Sequence, residues 1–474
     1  MKADVPGPDA DISSPALDPA QRQLGGRLAG LSLPRQIAVL AVWPLLEQAL
    51  NFLVTFVDTV QAGHLNADSV TAVGTAGYIV WVVGLVQSAV GIGSTAIVAR
   101  AVGGRHRSLA NATLGQSLVL AAIAGTIMGA AIFVLASPIS HFVELTGRSL
   151  EYSTLFLRIL ALAAPMSFVL FVGCACLRGA GDTATPFRVM LVVNVVNIAA
   201  NYAFVLGPAP LGGHGVAGIA AATTLAWTFG AMLLVIALLR GRRGLRLYVH
   251  RLALRWHLVR RIARIGMPNL VEASGLWVAQ FLVLKIIGHV GRIGIPNAIG
   301  IHAVAVRIEL LSYLPGVAMS VAAATLAGQY LGIGDPQRAK QAVRLCWYFS
   351  MAIMGTMGLL FLLVPHALIA IVTNDRAILR EAPTLLRICG PSEIFLGAYL
   401  VLSQAMRCAG DTRTPMFLTY FSIFCVRLPA AFVFGLMFDG KLVGIWFALC
   451  GEVVFRGAIF AVYFWRGGWL KAKV

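Results

Sequence analysis

Charge is what this sequence has least of. Only 12% of its 474 residues are Asp, Glu, Lys or Arg, about half of the roughly 25% that soluble domains carry. Acids are the scarcer sign, 19 against 37 bases. An ordinary soluble enzyme and a charge-solvated disordered chain are both excluded on that ground. Cysteine is sparse as well. The seven cysteines form no CxxC pair, and Cys174 and Cys176 stand only two apart, a spacing that serves neither a redox dithiol nor zinc. They read as small apolar packing residues. Nine histidines are scattered with no HExxH or HxxxH, and no GxxxxGKS/T occurs. A metallopeptidase-like centre and a phosphate-cradling loop are therefore missing. This sets aside a membrane-embedded enzyme and ATP as the direct energy source, and no cofactor is expected.

What is abundant is apolar sequence. Hydrophobic residues make up 59% of the chain and its mean hydropathy is +0.83. Runs long enough to cross a bilayer, roughly 20 residues each, fall near 37–61, 70–98, 109–136, 153–176, 187–206, 214–239, 262–288, 298–328, 341–365, 383–406, 415–437 and 442–465. A transmembrane barrel would alternate over about ten residues instead. The prediction is an all-α polytopic membrane protein with twelve transmembrane helices.

A net charge of +18 fits either a nucleic-acid partner or a membrane topology, so the placement of the bases decides. With Met1 inside and twelve spans, inside segments hold 26 lysines and arginines and outside segments eight. Nine of the former are arginines between Arg240 and Arg264, where there is no acid. This is the positive-inside bias of a membrane protein, so the bilayer is the partner and nucleic acid is not. The expected place is the cytoplasmic (inner) membrane, with both termini inside. The first 35 residues lack the order of a signal peptide and are rich in Pro, Asp and Ala, which predicts a disordered cytoplasmic tail.

Two stretches are nearly the same. "LRGAGDTATPF" (Leu177–Phe187) and "MRCAGDTRTPM" (Met406–Met416) lie 229 positions apart, and such self-similarity implies a duplicated architecture. Ala99, Gly103 and Ala110 match Gly328, Gly332 and Ala339 at the same offset, and Pro44 and Pro268 lead matching first spans. The expected organisation is a disordered tail over 1–36, a first six-helix lobe over 37–239 and a basic cytoplasmic linker over 240–257. A second lobe over 258–466 and a cytoplasmic tail over 467–474 complete it. Each half has an even number of spans, so the copies are parallel repeats with a pseudo-twofold axis along the membrane normal. The motif itself reads as an inner hinge. Gly181 and Gly410 supply a left-handed backbone, and Asp182 and Asp411 cap the next helix. Arg178 and Arg407 suit the preceding helix's C-terminal dipole and are within reach of those aspartates.

These residues carry a resemblance. "PLLEQALNFLVTFVDTVQAGHL", "AVGIGSTAIVARAVGGR", "LRGAGDTATPF" and an Asn-rich fifth span are similar to the multidrug and toxic compound extrusion (MATE) transporters. The second half repeats them with "GMPNLVEASG" and "MRCAGDTRTPM", over about 430 residues in all. The resemblance implies two six-helix lobes around a central cavity. It also implies alternating access driven by inward H⁺ or Na⁺, with small organic, typically cationic, substrates exported. Lipid-linked oligosaccharide flippases of the same broad superfamily are the alternative. A monomer is expected.

Charged and polar groups within spans are the candidate site, because each is expensive in hydrocarbon. At about 100° per residue, Glu47, Asn51, Thr55 and Asp58 share a wedge of about 80° on the first span. Asp58 stands where the resemblance places a coupling carboxylate, for H⁺ or Na⁺. On the fifth span Asn194, Asn197 and Asn201 share a wedge of about 60°, a stripe suited to helix pairing or an ion. Asn201 departs from the archaeal and DinF-like branch, which has aspartate there. In the second half Glu272 shares a face with Asn269 and Gln280, and Glu393 follows Pro391. Asp58, Asn197, Asn201 and Glu272 are thus the ion-coupling candidates. Glu47, Asn51, Thr55, Asn194, Gln280 and Glu393 are the cavity candidates. Glu452, Arg456 and Arg427 read as a neutralising structural cluster.

Overall fold

The computed structural model describes residues 24–25, 28–65, 67–208, 212–293 and 297–472; the side chains of 52–65, 67, 206, 251 and 293 lie outside that description. Thr55 and Asp58 are therefore placed on a helix with nothing further said of their contacts. Regular structure among the described residues is helix, apart from an isolated bridge between Arg242 and Leu245.

The first six helices are α1 (Leu33–Leu65), α2 (Ala67–Gly103), α3 (Arg107–Phe142), α4 (Gly147–Gly179), α5 (Ala184–Leu206) and α6 (Gly215–Arg240). The second set begins with α7 (Trp256–Ile293), α8 (Ala298–Ile333) and α9 (Pro336–Leu363), followed by a short α10 (Pro365–Val372). The next span is α11 (Arg376–Cys389), which passes through one 3₁₀ turn at Gly390–Ser392 into α12 (Glu393–Cys408). Then come α13 (Arg413–Tyr420), α14 (Leu428–Phe432) and α15 (Lys441–Arg466). Eleven helical runs among the described residues are long and apolar enough to cross a membrane, and α1, with 33 residues, is the twelfth. The helices overrun the apolar windows because a helix continues through the interface, where water satisfies its end groups.

The eleventh span is uneven. Wide π-helical turns at Phe421–Arg427 and Val433–Met437 flank α14, which contains Pro429. Proline has no N–H to give to the carbonyl four residues back, and its ring crowds that carbonyl. The ladder opens by one residue on either side.

The chain divides into two compact units, one of Leu46–Gly266 and one of Met267–Val474 together with the described chain up to Leu45. The boundaries cut through α1 and α7, beside Pro44 and Pro268. Ile37, Leu40 and Ala41 of α1 share a core with Ala322, Leu326 and Phe460 of the second unit. Leu24 and Leu28 are buried in the same core, and the Gln36 amide donates to the Leu28 and Leu31 carbonyls. Of the tail expected to be disordered over 1–36, residues 1–23, 26 and 27 lie outside the described residues. The rest packs, because its leucines have an apolar surface to cover. At the other end Trp469 is buried and stacks on Phe464 at 5.6 Å.

Close helix crossings repeat at the 229 offset. A Cβ on Gly129 would stand 2.6 Å from the Ala161 carbonyl oxygen, and one on Gly358 would stand 2.2 Å from that of Gly390. The first pair joins α3 to α4, and the second joins α9 to the turn after α11. Backbones approach this closely only where a side chain is missing, which is how helices pack without hydrophobic drive from lipid.

Candidate functional site

Each copy of the repeated motif closes its helix the same way. Gly181 and Gly410 have φ of +84° and +98°. Around them Asp182 N–H donates to the Leu177 carbonyl and Asp411 N–H to that of Met406, at 2.9 and 3.0 Å. The glycine N–H groups donate to the Arg178 and Arg407 carbonyls. This double bond is the Schellman cap, and it requires the left-handed glycine. Asp182 then accepts from the Thr185 N–H at 3.1 Å and its hydroxyl at 2.7 Å. Asp411 accepts from the Thr414 N–H at 3.2 Å. The left-handed glycine turn and its capping aspartates have the geometry the sequence predicts.

The arginines are not. From sequence, Arg178 and Arg407 are expected near their own aspartates. Instead Arg178 Nη1 donates to both oxygens of Glu47, at 2.9 and 3.1 Å, and Arg407 Nη2 donates to Glu272 Oε1 at 2.7 Å. The physical reason is that the aspartates spend their oxygens elsewhere, Asp182 on Thr185 of the following helix and Asp411 on Thr414 and on the Tyr463 hydroxyl of α15. The acid of each lobe's first span is then the carboxylate left to meet the guanidinium. So the motif holds the end of a fourth helix to the first helix of the same unit, once in each half.

Glu47 is thereby neutralised within its unit, which weighs against a cation-binding role. Asn51 donates to Gln48 Oε1 at 3.3 Å. On α5, Asn201 donates to Asn197 Oδ1 at 3.2 Å, and Asn197 donates to Thr223 of α6 at 3.1 Å. The asparagine stripe therefore faces α6. Asn194 Nδ2 is buried without a partner among the described residues. Thr223 was missed from sequence, although a polar residue inside an apolar run was the available signal.

The second unit holds more charge. Glu272 Oε1 also accepts from Thr419 at 2.7 Å and Tyr399 at 3.5 Å, while Arg456 lies 4.1 Å from the Tyr399 ring centre. Asn269 is buried on the same helix and Gln280 is half-buried. Glu452 meets Arg427 at 2.6 Å and Arg456 at 3.3 Å and accepts from Ser422, the neutralising cluster expected.

Glu393 behaves differently. Its carboxylate accepts from Ser312 at 2.7 Å and from the Cys389 thiol at 3.3 Å. Donor atoms of Glu309, Cys389 and Glu393 all lie within 4.8 Å of one another. Neither carboxylate has a base within 4 Å among the described residues. Two such acids cannot both ionise cheaply without a proton or a cation between them.

Against known proteins, the MatE family model matches residues 45–203 and 268–433. The "Probable multidrug resistance protein NorM" of Thermotoga maritima is 30% identical over 441 residues, covering 93% of this chain and 94% of that one. The "Probable multidrug resistance protein YoeA" of Bacillus subtilis is 24% identical, covering 94% and 96%. Among solved structures, a MATE protein in the bent conformation superposes with TM-score 0.86 at 19% identity, over 93% of this chain and 96% of that one. A MOP superfamily transporter from Pyrococcus furiosus, described as having reversed pocket polarity, gives 0.84 at 18%, over 97% and 100%.

Proposed function

Because this chain belongs to the MatE family of polytopic membrane transporters, we propose that it exports small organic, mainly cationic, compounds by antiport against H⁺ or Na⁺. It would act as a monomer in the inner membrane, with both termini inside. The observation that carries the coupling is the Glu309–Glu393 pair, two neighbouring acids on membrane-spanning helices with no base within 4 Å of either carboxylate among the described residues. A proton or Na⁺ taken there, and given up in the other conformation, is the exchange that alternating access requires. Asp58, with Asn197 and Asn201 of the same unit, is the second candidate ion site. Glu272 is a weaker one, since Arg407 already meets its charge. The multidrug names of the relatives support an organic substrate. A flippase for anionic lipid-linked sugars would need a cationic cavity. Here the half-buried Arg178 and Arg427 and the buried Arg407 and Arg456 each have a carboxylate within 4 Å.

The test is efflux of ethidium from vesicles under separate H⁺ and Na⁺ gradients, with ATP absent. Wild type should export while either gradient stands, and Glu393→Gln should lose the gradient dependence. Efflux that persists unchanged in Glu393→Gln and in Asp58→Asn would remove both coupling sites.

A further inference from the structure

The basic segment between α6 and α7 is not slack. Leu245 and Leu247 are buried. The Arg246 N–H donates to Asn111 Oδ1 at 2.8 Å, and the Arg255 N–H donates to Gln116 Oε1 at 2.8 Å. Gln116 returns a bond to the Ala253 carbonyl at 2.9 Å. Two polar side chains of α3 thus fasten the segment at both ends. Between them Arg243 donates to the Gly181 carbonyl and stands 3.9 Å from Asp182, so it sits on the hinge between α4 and α5. The other hinge has no such strap among the described residues, and Asp411 accepts from the Tyr463 hydroxyl at 2.6 Å instead.

The outer face of this segment is of one kind. Arg240, Arg242, Arg246, Arg260 and Arg264 are exposed and have no carboxylate within 4 Å among the described residues. Arg107 of α3 lies beside Gly244 and adds to them. Interleaved are Val249, Leu254 and Trp256, exposed at 63%, 55% and 69%. The segment joins the ends of two membrane-spanning helices, which puts it at the level of the lipid headgroups. Arginines with an interfacial tryptophan and two aliphatic residues match an anionic headgroup and the acyl region just beneath it. A nucleic acid would match the charge and leave the apolar residues in water.

We propose that residues 240–264 form a seat for the headgroups of anionic phospholipids, and that an occupied seat holds Arg243 on the first lobe's hinge. Hydrogen exchange of the full-length protein tests this in nanodiscs of phosphatidylcholine, with and without phosphatidylglycerol. With two or three arginines each gaining about what one basic residue gains at an anionic surface, phosphatidylglycerol should slow exchange over 241–255 by at least about tenfold. The hinge at 179–185 should slow with it. Arg240→Gln/Arg242→Gln/Arg246→Gln should lose both responses, whereas Arg338→Gln/Arg376→Gln/Arg380→Gln, an equal loss of charge elsewhere, should keep them. Equal exchange in the two lipids, or a response that survives the linker substitutions, overturns the seat. Slowing confined to 241–255 overturns the link to the hinge. None of these readings depends on transport, so they stand apart from the antiport test.

Discussion

The Glu272–Arg407 pair gives the sharpest energetic test. Its side chains are only 1% and 9% exposed, so water cannot replace a lost partner. Arg407→Gln keeps a polar side chain of moderate length but leaves the Glu272 carboxylate with the Thr419 and Tyr399 hydroxyls alone. Removing one member of a buried pair costs about 3–5 kcal/mol. Glu272→Gln should cost about the same, because the guanidinium is then the orphan. The double variant leaves no unpaired charge, so it should cost no more than either single change. The resulting coupling is about 3–5 kcal/mol or more, at or above the top of the roughly 0.5–3 kcal/mol that contacting residues show. The measurement is reversible unfolding in mixed micelles with dodecyl sulfate, followed by tryptophan fluorescence across the four proteins. The Glu47–Arg178 cycle should give a smaller coupling, since Arg178 is 21% exposed and water can serve it. If the Glu272 and Arg407 effects add to within about 0.5 kcal/mol, the pair does not anchor the first helix and the reasoning fails.

Three further outcomes are expected. Gly358→Ala should destabilise by about 1–3 kcal/mol through overpacking, its Cβ being 2.2 Å from the Gly390 oxygen. Gly74→Ala, with nothing within 4 Å, should be neutral or slightly stabilising in thermal melts; equal losses at both positions would refute the close-crossing account. Glu452→Gln leaves Arg427 and Arg456 facing a neutral amide, and fluorescence-detected size exclusion should show a clear drop in folded yield, with Glu452→Gln/Arg456→Gln partly restored. Wild-type yield from Glu452→Gln would show the cluster to be dispensable. Finally, a cysteine placed at 374–381, around the start of α11, in a cysteine-free variant should react with an impermeant thiol reagent added outside, and one placed at 245–255 should not; the reverse pattern inverts the topology.

The helices were legible because hydrocarbon demands long apolar runs, and those runs survive in one dimension. The hinge was legible too, since a left-handed glycine and a capping aspartate act on neighbours within four residues. What failed was pairing at a distance. Nothing near Arg407 in sequence points to Glu272, 135 positions earlier, and the local aspartate is the tempting partner. The Glu309–Cys389–Glu393 group was half legible: Glu393 stood out as an intramembrane charge, but its meeting with Glu309 depends on how α8 packs against the turn after α11. Arg243 looked like one of nine similar arginines. Only the fold singles it out, by bringing it under Gly181.

The division of α1 and α7 bears on how such a chain is assembled. The turns of α1 before Leu45 belong to the core of the second unit, and the turns of α7 before Gly266 belong to the first. A polypeptide severed within 241–255 would yield two fragments, each carrying a piece of the other's interior. Neither fragment should be stable when made alone, because each would leave a helix-sized furrow open to lipid, and the two should rescue one another when co-expressed. During synthesis the first half would likewise wait for residues 256–266 before its own packing is complete. The two units are therefore not separable by a cut in the segment that links α6 to α7.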